Sequence, residues 1–203
     1  MGSGPVVGIC GGIGSGKSVV SRLLRLGGYP VYDCDSEARR LMAESPVIKR
    51  RIRDEISAEV TDGESLPRRD LLARIVFSDD AMRKRLNAIV QGAVRKDFLD
   101  FARRHQGAVF VEAAILAESG LADICRMIWR VESDPEQRLK RVIRRDGCSE
   151  SQTRARMEAQ RHEETLLRRY ADKTSVLTND AAHSLMRQID TLLECFNSSL
   201  KFE

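Results

Sequence analysis

Residues Val6 to Cys10 form a short uncharged run that ends in a glycine cluster, and from Ser18 to Leu26 apolar positions recur at helical spacing until Gly27-Gly28. The pattern predicts a strand, a loop and a helix. A second apolar run, Tyr29 to Tyr32, leads into Asp33-Cys34-Asp35-Ser36 and a further helical pattern from Glu37 to Ala43. Strand, helix and strand in that order predict a βαβ unit and a parallel sheet. From Ser45 to about Arg104 the chain is almost wholly helical and polar in pattern, broken at Thr61-Asp62-Gly63 and punctuated by Pro67. This predicts a helical insertion over one end of the sheet. Strand-like runs return at Ala108 to Val111 and Met127 to Val131, and an Arg-rich helical stretch follows Pro135 to about Arg169. A last strand, Ser175 to Thr178, and an amphipathic helix, Ala181 to Phe196, complete an α/β pattern without internal repeats.

The length, 203 residues, suits one well-buried domain with room for a small appended lobe. A hydrophobic share of 42% with 32% charged residues excludes intrinsic disorder, collagen-like sequence and a membrane-spanning bundle. No apolar stretch approaches the roughly 20 residues of a membrane span, and Met1-Gly2-Ser3-Gly4-Pro5 has no signal-peptide character, so the expected location is the cytoplasm, with no membrane partner. The 5 cysteines (Cys10, Cys34, Cys125, Cys148, Cys195) are widely spaced with no C-x-x-C pair, which predicts reduced, mostly buried thiols. His105, His162 and His183 are isolated and read as structural or solvated; Trp129 reads as core or rim. The basic side of the +4 net charge comes from 27 Arg against 7 Lys, a bias toward planar, bidentate contacts with phosphate or carboxylate. Aromatic content is only 5% and the arginines are not interleaved with stacking residues, which argues against nucleic acid as partner. Oligomeric state is not legible, and a monomer is the default.

Gly11-Gly12-Ile13-Gly14-Ser15-Gly16-Lys17-Ser18 satisfies G-x-x-x-x-G-K-[ST] between a predicted strand and a predicted helix. Glycines let successive backbone N–H groups approach phosphate oxygens, and the following helix aims its N-terminal dipole at the same anion. The residues expected to hold ATP are Gly12, Ile13, Gly14, Ser15, Gly16, Lys17, Ser18 and Val19. Lys17 would bridge the β- and γ-phosphates, and Ser18 would ligate Mg²⁺. The loop alone does not choose among GTPases, motor ATPases and small-molecule kinases. No N-K-x-D guanine signature is present and the length leaves no room for an oligomeric ATPase's extra helical domain, so a small-molecule kinase fits best.

Two further sets of side chains suit that chemistry. Asp33 and Asp35 follow the second strand at the edge where parallel sheets place ligands. Asp33 is expected to position or deprotonate an acceptor hydroxyl, and Asp35 to cap the next helix. In the Arg-rich stretch most charges read as solvated surface pairs, but Arg141 and Arg145 share a face of a helix that Arg145-Asp146-Gly147 ends, and are expected to reach across a triphosphate as part of a lid.

The chain as a whole resembles the dephospho-CoA kinases. The resemblance rests on residues 7–18, then Leu26-Gly27, Val31-Tyr32-Asp33-Cys34-Asp35 with Ala38-Arg39, Asp62-Gly63, Arg69, Val76-Phe77, and Leu86-Asn87-Ala88-Ile89. It continues through Glu118-Ser119-Gly120-Leu121, Arg141, Arg145-Asp146, Gln160, Ala171-Asp172 and Asn179. It implies a P-loop kinase of the nucleoside-monophosphate-kinase type that phosphorylates the ribose 3'-hydroxyl of dephospho-CoA with ATP and Mg²⁺. It also implies a five-stranded parallel core (1–44 and 105–203), a helical CoA-binding insertion (45–104) and a lid (138–169). By match to the family, Asp33 is the base candidate, and Arg141 and Arg145 are phosphate-contacting lid residues. Departures from the family pattern at Val19, Arg68, Gln91, Gly92, Glu112 and Ala114 gather mainly around the expected acceptor site. They keep two alternatives open: a kinase for another small alcohol or nucleotide, and a nucleotide or CoA binder without turnover.

Overall fold

The computed structural model describes residues 4–60 and 69–200 of the chain. The expected break at Thr61-Asp62-Gly63, Pro67 and the Arg68 departure lie outside the described residues, as do the side chains of Arg69, Val76 and Phe77.

The chain divides into two compact units, one of residues 1–32 with 102–203 and one of residues 33–101. In the first, β1 (Val6–Cys10), β3 (Val109–Glu112), β4 (Met127–Glu132) and β5 (Thr174–Thr178) are joined by β2 (Val31–Asp33) in a parallel sheet of order β2-β3-β1-β4-β5. β1 lies at its centre, with Val7 paired to Phe110 on one side and to Met127 on the other. Every residue of β1 and β3 is buried, which explains why these strands read as continuous apolar runs rather than alternating ones. Between α1 (Lys17–Leu26), α9 (Leu185–Leu200) and the sheet lies a core of Val7, Ile9, Leu24, Phe110, Trp129 and Phe196, among others. Trp129 is fully buried there, its ring 5.2 Å from that of Phe110.

Local chemistry moves several expected boundaries. β2 starts at Val31 because Pro30 has no N–H to give the sheet, although its carbonyl accepts from the Phe110 N–H at 2.9 Å. The final helix starts four positions after the predicted Ala181, at Leu185, because the Asp180 carboxylate takes the Ala182 and His183 N–H groups at 2.9 and 2.8 Å and holds the chain in a turn. The Arg-rich stretch divides into three helices, the first ending where Asp146-Gly147 predicts. α6 (Pro135–Asp146) is capped by Asp134 and stops at Gly147, and α7 (Glu150–Ala159) opens with a Ser149/Gln152 capping box. α8 (Arg161–Leu167) follows a corner at Gln160.

The second unit is helical among its described residues, with α2 (Cys34–Glu44), α3 (Pro46–Glu55), α4 (Arg69–Ser78) and α5 (Asp80–Arg103, running two residues past the unit). Its own core gathers Ile48, Ile52, Val60, Leu72 and Ile89. α2 begins three residues before the predicted Glu37 because Asp33 caps it, and Ser45 caps α3 with Pro46 in the first turn.

Candidate active site

The strand-to-helix turn between Cys10 and Lys17 has the form the sequence demands. The Ser15 N–H donates to the Gly12 carbonyl at 3.1 Å, and α1 opens with the Val19 N–H on the Gly16 carbonyl at 2.9 Å. The N–H groups of Gly14, Gly16 and Ser18 have no acceptor among the described residues and stand at the positive end of the α1 dipole. That arrangement is an anion cradle. Gly16 adopts φ 106°, ψ 19°, and a Cβ there would lie 2.1 Å from Asn179 Nδ2. Asn179, from the turn after β5, uses that Nδ2 to donate to the Ser15 carbonyl at 2.7 Å.

The expected ATP ligands divide by what they offer. Lys17 Nζ donates to the Gly11 carbonyl at 2.8 Å and the Gly12 carbonyl at 3.4 Å, so the ammonium lies across the mouth of the loop. Ser18 exposes its hydroxyl, whereas Ser15 is 1% exposed and its Oγ has no partner among the described residues, so Ser15 serves the loop through its backbone. The Ile13 N–H donates to Gln160 Oε1 at 2.6 Å, and its carbonyl accepts from Arg138 Nε at 3.0 Å. Arg141 donates to the Gly14 carbonyl at 3.4 Å, Ser133 Oγ at 3.0 Å and the Asn179 carbonyl at 3.4 Å. Arg145 is turned elsewhere. It forks onto Asp146 at 2.6 and 3.1 Å, and Arg156 joins it at 2.7 Å. Hydrogen bonds from these two guanidiniums hold the Asp146 carboxyl down at about 2.

Beside the loop opens a cleft of about 210 Å³, lined by Gly11, Gly12, Ser133, Arg138, Gln160 and Glu163 among others. Glu163 was hidden from sequence reading inside a charged run that looks solvated. In the fold it is 4% exposed, and its two oxygens accept from the Ala117 and Glu118 N–H groups at 2.7 and 2.9 Å, fixing the segment after β3. Burial raises its pKa above the usual carboxylate value. The spacing of Gln160, Glu163 and Leu167 along one helical face was the signal that could have found it.

Asp33 closes β2 and is itself the cap of α2, a role the sequence reading gave to Asp35. Its Oδ1 accepts from the Asp35 N–H at 3.0 Å and the Ser36 N–H at 3.2 Å, and its Oδ2 accepts from Ser36 Oγ at 2.8 Å. Asp35 lies in the first turn, favoured there by the helix dipole. Burial pushes the thiols of Cys10 and Cys125 up to about 12, so both remain neutral packing groups. His183 is paired through Nδ1 with Asp180 at 2.9 Å on the surface, a partner its sequence surroundings did not advertise. Among the described residues no cluster of three or more His, Cys, Asp or Glu is placed to hold a metal ion, and no helix is long and apolar enough to cross a membrane.

Comparison with known proteins agrees with this geometry. The family model for dephospho-CoA kinase matches residues 5–184. The chain belongs to the dephospho-CoA kinase family. A dephospho-CoA kinase of Porphyromonas gingivalis is 38% identical over 93% of this chain and 92% of its own length. One from Thermus thermophilus is 38% identical over 78% and 76%. Among solved structures, the Thermus thermophilus protein TT1252 superposes with a TM-score of 0.76 at 34% identity, covering 98% of this chain and 99% of that one. A shikimate kinase from Acinetobacter baumannii, 14% identical with a TM-score of 0.54 over 97% and 94% of the two chains, shares the fold alone.

Proposed function

We propose that the protein transfers the γ-phosphoryl group of ATP to the ribose 3'-hydroxyl of dephospho-CoA, giving coenzyme A and ADP, in the cytoplasm. The observation that carries the reading is the family match over residues 5–184, on a chain whose phosphate loop has the required backbone form. Lys17 and the N–H groups of the loop bind the triphosphate. The residues suit Mg²⁺ arriving with the nucleotide. Ser18 supplies an exposed hydroxyl in the first turn of α1, a hard oxygen of the type this ion takes as one ligand beside phosphate and water. When bound, the ion neutralises phosphate charge. Asp33 accepts the proton of the 3'-hydroxyl or orients it, the 3'-oxygen bonds to the γ-phosphorus, and the bond to the β–γ bridging oxygen breaks with its electron pair leaving on ADP. Arg141 neutralises charge at the loop, and Arg145 joins it only by exchanging Asp146 for phosphate. The helical unit of residues 33–101 supplies the CoA-binding surface, and α6 to α8 act as the lid.

The test is acceptor-dependent ADP release by purified protein with Mg²⁺ and ATP, comparing dephospho-CoA with CoA, adenosine and no acceptor. Turnover with dephospho-CoA alone supports the reading. Equal turnover with another acceptor, or ATP binding without any acceptor-dependent ADP, overturns it in favour of a different kinase or a non-catalytic binder.

A further inference from the structure

The arginines of α6 to α8 fall into two groups. Arg145 and Arg156 share Asp146, Arg154 is paired with Glu136 and Glu150, and Arg161 with Glu158. Arg138 and Arg141, three apart on the inner face of α6, have no carboxylate partner among the described residues and instead donate to consecutive loop carbonyls, those of Ile13 and Gly14. Arg138 is the one that lies against the loop backbone at Gly12. Its Nε is committed to Ile13, and its guanidinium packs against Gly12, where an added Cβ would stand 1.9 Å from Nη2 and 2.5 Å from Cζ. The Ile13 peptide groups are held from both sides, by Arg138 on the carbonyl and Gln160 on the N–H, so the guanidinium is placed by the backbone rather than by its own flexible stem. Arg138 lines the cleft that Gly11, Gly12 and Ser133 also border, with Nη2 beside Gly12.

Lys17 says what belongs there. The lysine of a phosphate loop reaches the β- and γ-phosphates, and here its Nζ is drawn toward the Gly11 and Gly12 carbonyls. A terminal phosphate held by Lys17 in that position would sit at the Gly11–Gly12 edge, against the Arg138 guanidinium. A half-buried, preplaced guanidinium without a carboxylate partner among the described residues is the donor that suits charge developing on a transferring phosphoryl group. We infer that Arg138 is a catalytic residue, donating from its terminal nitrogens to the non-bridging oxygens of the γ-phosphoryl group during transfer. This rests on the ATP-kinase reading above. Arg138 keeps all its protons in the step; the only bonds that change are those at the γ-phosphorus and the acceptor hydroxyl.

The experiment compares the wild type with Arg138→Ala, Arg138→Lys, Gly12→Ala and, as a control in charge, Arg154→Ala. It reads affinity for ADP, affinity for a non-hydrolysable ATP analogue, and kcat and KM with dephospho-CoA. A contact to the terminal phosphate is a charge-assisted bond, so Arg138→Ala should narrow the preference for triphosphate over diphosphate about tenfold. ADP affinity should stay within about twofold, which also reports an intact loop, because ADP lacks the phosphate in question. kcat should fall on the order of 10²–10³-fold with KM for dephospho-CoA little changed. Arg138→Lys should recover only part of kcat, and added guanidinium should raise the rate of Arg138→Ala but not of the wild type. Gly12→Ala keeps the arginine but displaces its head, and should show the same narrowed nucleotide preference. Arg154→Ala should match the wild type throughout. An Arg138→Ala protein that binds ADP normally, keeps its triphosphate preference and turns over within about threefold of the wild type would overturn the assignment. Should the wild type not use dephospho-CoA at all, the acceptor reading fails, while the nucleotide preference still decides the role of Arg138.

Discussion

Replacing Gly16 by alanine tests whether the loop has the shape described. Gly16 holds φ 106°, ψ 19°, outside the comfortable range of a residue with a Cβ, and such a placement costs about 1–3 kcal/mol. The new methyl would also stand 2.1 Å from Asn179 Nδ2, so the amide must move and surrender its 2.7 Å bond to the Ser15 carbonyl, a further loss of about 0.5–1.5 kcal/mol. The sum is about 2–4 kcal/mol, which for a chain of this length lowers Tm by about 4–15 °C. Asn179→Ala alone removes only the second contribution. In the double variant the collision has no partner, so the two losses should fall short of additivity by about 0.5–1.5 kcal/mol. Urea denaturation of the four proteins of this cycle, with melts in the presence of ATP, gives the coupling directly. Strict additivity, or a Gly16→Ala protein as stable as the wild type, would refute the geometry on which the phosphate site depends.

Four other outcomes follow from the same reasoning. Lys17→Ala should keep its melting behaviour without nucleotide but lose turnover and most ATP affinity, and a folded, active variant would remove the phosphate loop from the mechanism. Gly92, inside α5 with open space where a Cβ would stand, should stabilise the protein by about 0.5–1 kcal/mol on replacement by alanine, seen as a Tm rise of about 1–4 °C. Burial raises the pKa of Glu163, so the folded state binds its proton more tightly than the unfolded one. The stability this group contributes is complete below its ordinary value of 4.5 and is lost as pH rises through the raised value. The stability margin of the wild type over Glu163→Gln should therefore shrink from acid toward neutral pH in urea titrations, and a margin that grows would reverse the assignment of burial as the dominant cause. Asp33→Asn should retain the α2 cap, since asparagine caps as well as aspartate, yet lose turnover, whereas Asp33→Ala should also lose about 1 kcal/mol of stability.

Much of the architecture was legible because the physics that builds it is local. The short apolar runs of β1 and β3 read as strands, which the fold buries throughout, and the glycine loop between β1 and α1 carries its own conformational demands in its letters. Where the reading slipped, a side chain had reached back to its own backbone. Asp33 started α2 early and Asp180 delayed α9, and each shift is a single carboxylate taking two N–H groups. The end of α6 was legible in Asp146-Gly147, while the start of α7, signalled by Ser149 three residues before Gln152, was obscured by the dense arginine pattern.

The site was less legible, because charge counting along a helix cannot say which arginines are already paired. Arg141 and Arg145 share a face by spacing, yet one meets the loop and the other meets Asp146, its immediate chain neighbour. Arg138 looked like one more surface charge, since nothing in the linear sequence places Ile13 and Gly12 beside it. Asp33 shows the same limit from the other direction. The sequence points to separate carboxylates for capping and catalysis, but the three donors from Asp35 and Ser36 occupy both lone pairs of Oδ1 and one of Oδ2, leaving one lone pair on Oδ2. The cap holds both oxygens of Asp33 to α2, so the acceptor proton proposed for it would have to take the last lone pair of Oδ2, an atom the helix already uses.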